Sequence, residues 1–298
     1  MRGWWQDLTD LVLPADCAGC GAPRTALCPR CRATLGRGVP RRARPVPEPA
    51  GLPVVHAVAP YAAEVRALLL AHKERGALAL AGVLGTALAA AVRAGLGEGT
   101  GAGPGAAAGS AGWASPEPVL LVPVPSARWA VRARGHDPVR RMAYAAAGEL
   151  RRTGTPARVA AVLRQRRAVA DQAGLDARRR LENLAGALEV AVGGGRLLGP
   201  GPVVLVDDLM TTGASLAEAA RALREAAVSR RDGRTVVYRA TTREDRGERR
   251  VGERPERSEW VHEWVHSASE KRAVNALDRT LRAAVIAAPR DSLEIVRN

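Results

Sequence analysis

The sequence predicts an α/β fold, in which a parallel β-sheet carries helices on both faces and is joined to a small amino-terminal head built around four cysteines. Three observations carry this expectation. From Val54 onward, short apolar runs alternate with Ala/Leu-rich stretches of helical length, the pattern that βαβ units produce. One of those runs, Val203 to Val206, leads into two adjacent acids and a Thr-Thr-Gly loop before the next helical stretch. The four cysteines all fall between positions 17 and 31. A chain of 298 residues with 47% hydrophobic content can bury a substantial core, as one large domain or two modest ones.

The head is assigned to residues 1–38. Its two C-x2-C pairs, Cys17/Cys20 and Cys28/Cys31, place four thiolates on two tight turns, a soft tetrahedral set that suits a closed, structural zinc site. A disulfide is disfavoured in a cytosolic chain, and a redox Cys-x-x-Cys normally stands alone at a helix start. A basic, Pro-rich stretch from Val39 to Pro53 then separates head from body, because Pro removes backbone donors and favours extended chain.

The body, residues 54–228, opens with a strand over Val54 to Pro60 and helices over Ala62 to His72 and Ala77 to Ala94. Residues 95–118 are rich in Gly, Ala, Ser and Pro and offer little to bury, so they read as a flexible insertion. A β-branched run, Val119 to Val124, resumes the pattern as a buried strand. Helices are expected at Pro138 to Arg152 and Ala177 to Leu184, a strand at Val203 to Val206, and a helix from Ser215 to Ala227. Residues 229–282 are crowded with Arg and Glu and read as a second insertion. Residues 283–298 supply a final strand, Ala283 to Ala288, and a tail.

The net charge of +15 invites a polyanionic partner such as single-stranded DNA. The basic residues are spread through every segment, however, and an Arg-rich solvated surface explains them equally well. Phe is absent and aromatics make up 3% of the chain, which leaves little for base stacking. Met1 to Asp10 holds Trp4, Trp5 and two Asp in place of a basic stretch and apolar core, so no secretory signal and a cytoplasmic location are expected. No membrane span is expected either. The Ala-rich stretch from Ala77 to Val92 falls short of the roughly 20 residues a bilayer needs.

The acid and threonine segment carries the chemistry. At the carboxyl edge of a parallel sheet, loop amides and the amino end of the next helix make an anion site, to which Thr211, Thr212 and Ser215 add hydroxyl donors. Gly213 allows the backbone to approach a ligand closely. Asp207 and Asp208 suit the vicinal hydroxyls of a ribose and can balance positive charge developing on a sugar ring. A Walker-type loop is excluded, since no Gly-Lys-Ser/Thr ending and no neighbouring Lys is present. His262-Glu-Trp-Val-His266 matches H-E-x-x-H, but it sits in a local repetition within the Arg/Glu-rich insertion and lacks a third ligand, so it reads as a chance match.

The segment Val203 to Ser215 resembles the phosphoribosyl-diphosphate signature of type I phosphoribosyltransferases, and the order of four-Cys head and transferase-like body is similar to the ComF family, associated with DNA uptake (competence) in some bacteria. Further stretches support the likeness: Leu120-Leu-Val-Pro-Val-Pro-Ser126-Ala127-Arg128, Arg134-Gly-His-Asp-Pro138, and Gln172 through Asn183. The family usually shows Arg-Gly-aromatic-Asn-Gln where this chain has Arg134 to Pro138. The resemblance implies a type I phosphoribosyltransferase-like sheet, phosphoribosyl diphosphate with Mg as ligand, and a zinc head. It also implies ligand contacts from Asp207, Asp208, Met210, Thr211, Thr212, Gly213, Ala214 and Ser215, with Asp207 and Asp208 at the reacting sugar. Ser126, Ala127 and Arg128 would face the diphosphate, and Gln172 would belong to a closing loop. Three functions are open on this basis: a ComF-like protein acting in DNA uptake, a nucleobase or amine phosphoribosyltransferase, and a non-catalytic module that binds nucleic acid or a DNA-translocating partner.

Overall fold

The computed structural model describes residues 16–36, 38–98, 117–167, 177–199, 201–231, 277 and 280–294. The expectations for residues 99–116, for Gln172, for His262 and His266 and for most of the Arg/Glu-rich insertion lie outside these residues.

Eight strands and seven α-helices organise the described chain. In order they are α1 (Pro29–Gly36), β1 (Arg41–Ala43), β2 (Val54–Pro60), α2 (Ala63–Glu74), α3 (Leu80–Glu98), β3 (Val119–Pro123), α4 (Arg128–Arg134) and α5 (Pro138–Arg152). There follow β4 (Ala157–Val159), β5 (Leu163–Gln165), α6 (Ala177–Leu184), β6 (Leu188–Val190), β7 (Val203–Leu209), α7 (Ala214–Arg231) and β8 (Arg282–Ala288). The main sheet has six strands in the order β1-β2-β8-β7-β3-β4. Strands β2, β8, β7, β3 and β4 run parallel, and β1 joins the edge antiparallel to β2. Strands β5 and β6 form a separate antiparallel pair.

Residue parity along the strands explains the layers. Val204, Val206, Ala284 and Ile286 pack into one apolar cluster with Leu68 of α2, Leu84 and Leu88 of α3, and Met142 and Leu150 of α5. Their strand neighbours Val203, Leu205, Ala283 and Val285 pack into a second cluster with Leu216, Ala219 and Leu223 of α7. A strand with both faces covered must be apolar at every position, and β3 and β8 meet that demand with buried side chains throughout apart from the half-buried Arg282.

Several elements differ from the sequence expectation in extent. Helix α3 runs to Glu98, beyond the boundary expected at Ala94. The reason lies in contact rather than propensity: Gly95 packs so near the buried His56 ring that a Cβ there would lie 3.1 Å from Nδ1. At Gly85 a Cβ would come within 2.3 Å of the Ala145 Cβ, so the crossing of α3 and α5 depends on the missing side chain. Helix α3 includes an 18-residue window of mean hydropathy 1.5, of which 61% is buried inside the fold, as for a core helix. The stretch expected to separate head from body also supplies β1, a three-residue edge strand of the kind that tolerates flanking Pro. Residues 292–294 lie alongside it, with Arg44 N–H donating to Ser292 O at 2.7 Å and Glu294 N–H to Arg42 O at 3.0 Å.

Candidate functional site

The path of the chain creates a crevice. From β3 the chain continues through α4 and α5 to β4 on one side, whereas from β7 it continues through α7 toward β8 on the other. Strands β3 and β7 are neighbours in the sheet, so the loops at their carboxyl ends part above it. Ligands of open parallel sheets bind at such a switch point. Both sequence-predicted loops, Val124 to Arg128 and Leu209 to Ser215, leave the sheet here.

On β7, Asp207 and Asp208 are both buried. The alternation of side chains gives Asp208 the parity of Val204 and Val206, facing the α2, α3 and α5 layer, and Asp207 that of Val203 and Leu205, facing α7. Asp208 N–H donates to Asp207 Oδ1 at 2.8 Å. Burial, with the neighbouring Asp208 carboxylate, pushes the Asp207 carboxyl well above the usual carboxylate range. Asp208 has a cation of its own: Lys73 Nζ, from the last turn of α2, lies 3.0 Å from its Oδ2. Burial opposes the lysine's charge, but the two carboxylates outweigh it and raise its pKa.

After the acids, Met210 is buried, Thr211 is exposed and Thr212 half-buried, and Ala214 and Ser215 begin α7. Gly213 holds a positive φ of 76°, and a Cβ added there would lie 3.1 Å from Leu52 Cδ2 and 3.3 Å from Pro45 Cγ. Conformation and packing therefore both demand glycine. The first turn of α7 points unsatisfied N–H groups and the positive end of its dipole toward this loop. Arg180 of α6 reaches the same loop, its Nη1 donating to Thr211 Oγ1 at 3.2 Å. The Arg180 Nε is buried with no hydrogen-bond partner among the described residues. Helix α6 is brought here by a small apolar contact of Leu181, Leu184 and Ala187 with Ala214.

At the β3 loop, Ser126 donates to Asp137 Oδ1 at 3.5 Å, and the exposed Arg128 donates through Nη2 to Gln165 O at 3.3 Å. Asp137 also caps α5 by accepting from Arg140 N–H at 3.1 Å, with Pro138 at the first helical position, where its missing N–H costs nothing. The structure thus brings together the β3 and β7 loops expected from sequence. It adds Lys73, which sequence reasoning missed because the lysine is far along the chain from the acids and only the fold makes them neighbours, and it singles out Arg180 from the stretch Gln172 to Asn183. A cavity of about 580 Å³ lies elsewhere, between the head and β2, lined by Val39, Val58, Ala62 and Val65 among others. It includes none of the acid and threonine residues.

The head is a second candidate site. Cys17, Cys20, Cys28 and Cys31 bring their sulfurs within 4.8 Å of one another, and none is in a disulfide. Tetrahedral thiolates at the usual Zn–S distance of about 2.3 Å stand about 3.8 Å apart, so the set can hold a metal ion such as zinc. Backbone N–H groups of Cys28 and Cys31 donate to the sulfurs of Cys17 and Cys28 at 3.3 and 3.4 Å. Burial opposes the Cys17 thiolate, yet backbone hydrogen bonds from Cys28, Cys20 and Gly19 together overcome it and lower its pKa to about 6. Burial and the neighbouring sulfurs push Cys31 up. The head is not a detached knuckle, since Cys17, Cys28 and Cys31 belong to the same apolar cluster as Leu68 and Leu69 of α2.

Comparison with known proteins gives no family model that matches this chain and no curated protein that matches it significantly.

Proposed function

We propose that the crevice between β3 and β7 binds phosphoribosyl diphosphate, and that the protein is a phosphoribosyltransferase-like α/β protein similar to the ComF family. The observation that carries this reading is the meeting, at one switch point, of a buried carboxylate pair with a threonine loop that opens a long helix. Phosphate suits the loop amides, the hydroxyls of Thr211 and Thr212 and the guanidinium of Arg180. Ribose hydroxyls suit Asp207 and Asp208. The diphosphate, carrying its Mg ion, suits the turn at Ser126, Ala127 and Arg128.

In the reaction this implies, an acceptor attacks the anomeric carbon as diphosphate departs with the bonding electron pair, and positive charge develops on the sugar. Mg carried in with the diphosphate, beside the turn at Ser126, Ala127 and Arg128, would supply charge neutralisation on the leaving group. The chain's own part is to orient the sugar, hold carboxylates near the developing charge and exclude water. No covalent residue is required. The competence setting, single-stranded DNA and a DNA-translocating partner belong to the same proposal through the resemblance and the +15 charge, as does zinc in the head.

Fragments of the ligand test the assignment of loops. Ribose 5-phosphate binding should fall in Thr211→Ala/Thr212→Ala while inorganic diphosphate with Mg binds as in the parent. The opposite pattern should follow Ser126→Ala/Arg128→Ala. Fragments that bind both variants as they bind the parent would remove the reading. Diphosphate release that depends on one nucleobase or amine, and is lost in Asp207→Asn/Asp208→Asn, would assign the transferase reaction over binding alone.

A further inference from the structure

The segment from Arg134 to Pro138 has no part in ligand contact so far, yet it is tied to everything around it. Arg134 Nη1 donates to the Lys73 main-chain oxygen at 3.2 Å and to the Glu74 carboxylate at 3.2 Å. His72 Nε2 lies 3.3 Å from Pro138 O, and its ring meets His136 edge-on with centroids 6.2 Å apart. Asp137 takes the Ser126 hydroxyl and caps α5. These contacts fasten one short stretch of chain, His72 to Glu74, to the β3 loop and the start of α5.

The residue held in the middle is Lys73. A free lysine loses much rotamer entropy when fixed; the contacts at His72, Glu74 and the Lys73 carbonyl fix the point from which this side chain reaches Asp208. Its Nζ reaches Asp208 while 37% of the side chain remains exposed. An ammonium has three donors, and Asp208 takes one of them. With the side chain part exposed, the others remain for an anion that enters beside Asp208.

We propose that Lys73 is a ligand-contacting residue of this site, bridging Asp208 and an oxygen of an anionic sugar phosphate, and that Arg134 is its positioning residue. The proposal rests on the phosphoribosyl-diphosphate reading of the crevice. It gives the Arg134 to Pro138 segment a task, namely holding the end of α2 against the sheet edge so that a distant lysine serves the acid pair.

Calorimetric titration of the full chain with phosphoribosyl diphosphate and Mg tests it, with a thermal melt of each variant to establish folding. Lys73→Gln should weaken binding by at least about tenfold, the scale of one charge-assisted hydrogen bond, and Lys73→Arg should recover most of the loss. Arg134→Ala should weaken binding in the parent but add nothing in the Lys73→Gln background, because a positioning residue has no effect once its target is gone. Parent-like affinity in a folded Lys73→Gln protein would overturn the role of Lys73. An equal penalty for Arg134→Ala in both backgrounds would overturn the positioning role. A parent that does not bind at all would instead remove the reading of the crevice on which both depend.

Discussion

The head and the crevice are assembled in opposite ways. The four cysteines come from one short stretch of chain, between Cys17 and Cys31, and their sulfurs lie within 4.8 Å of one another. The crevice draws Lys73 from α2, Ser126 from the β3 loop, Asp207 and Asp208 from β7 and Arg180 from α6. A local site announces its whole ligand set in the sequence, whereas a switch-point site announces only the part that lies on one strand and its loop. The two also meet: the head packs on the α2 residues Leu68 and Leu69, one turn before the lysine that reaches Asp208.

That contact yields the largest expected effect. Cys17→Ser, or removal of metal by a chelator, should destabilise the whole fold by upwards of about 4 kcal/mol, because metal binding energy in such a head is folding energy. Metal analysis should show one zinc per chain in the parent, and melting curves should show one shared transition. A head that melts separately, leaving the body unchanged, would break the link between the two regions.

A smaller loss is expected at Glu218. Its carboxylate is buried on α7, accepts from Leu188 N–H at 2.9 Å and pairs with Arg221 at 2.7 Å. Glu218→Ala leaves the buried Leu188 N–H without its acceptor and removes the buried carboxylate from Arg221, which keeps Glu225 and the Leu188 carbonyl, and should cost about 3 kcal/mol, whereas Glu225→Ala, which removes the more exposed partner of the same arginine, should cost less than about 1 kcal/mol. Similar melting temperatures for the two variants would contradict the role of Glu218 in fastening α7 to β6. The sequence does show a Glu and an Arg three apart on a helix, but this spacing also occurs on solvated faces, and only the burial of Leu188 distinguishes the pair.

Asp207 should act in the reverse direction. Its folded pKa stands above its unfolded one, so the folded state binds the extra proton and loses stability as pH rises from the ordinary carboxylate range through the raised pKa. Asp207→Asn removes that penalty. The variant should melt higher than the parent near neutral pH, with the gap closing toward pH 4 and ligand binding lost. A gap that persists at low pH, or a variant less stable than the parent at pH 7, would remove the idea that the acid pair is held at a cost in stability.

Much of the fold was legible because both faces of the sheet are covered. Runs such as Val119 to Pro123 and Ala283 to Ala288 are apolar throughout, and Asp137-Pro138 marks the start of α5 through a side-chain cap and a pre-set φ. The carboxyl end of α3 was not legible, since Gly95 reads as a loop residue until His56 lies against it. In the site, the Thr-Thr-Gly loop was legible through local backbone demands, of which the positive φ of Gly213 is one. Lys73 was not, because nothing in local spacing encodes a neighbour that only the fold creates, and of the stretch Gln172 to Asn183 the sequence did not single out Arg180.

Equilibrium dialysis of the purified chain against labelled phosphoribosyl diphosphate, with and without Mg, reads occupancy of the crevice itself. Saturable binding is expected at one site per chain, requiring Mg and abolished in Asp207→Asn/Asp208→Asn, whose melting curve shows a folded protein. Retention that never saturates, or that is the same in this variant as in the parent, would contradict it.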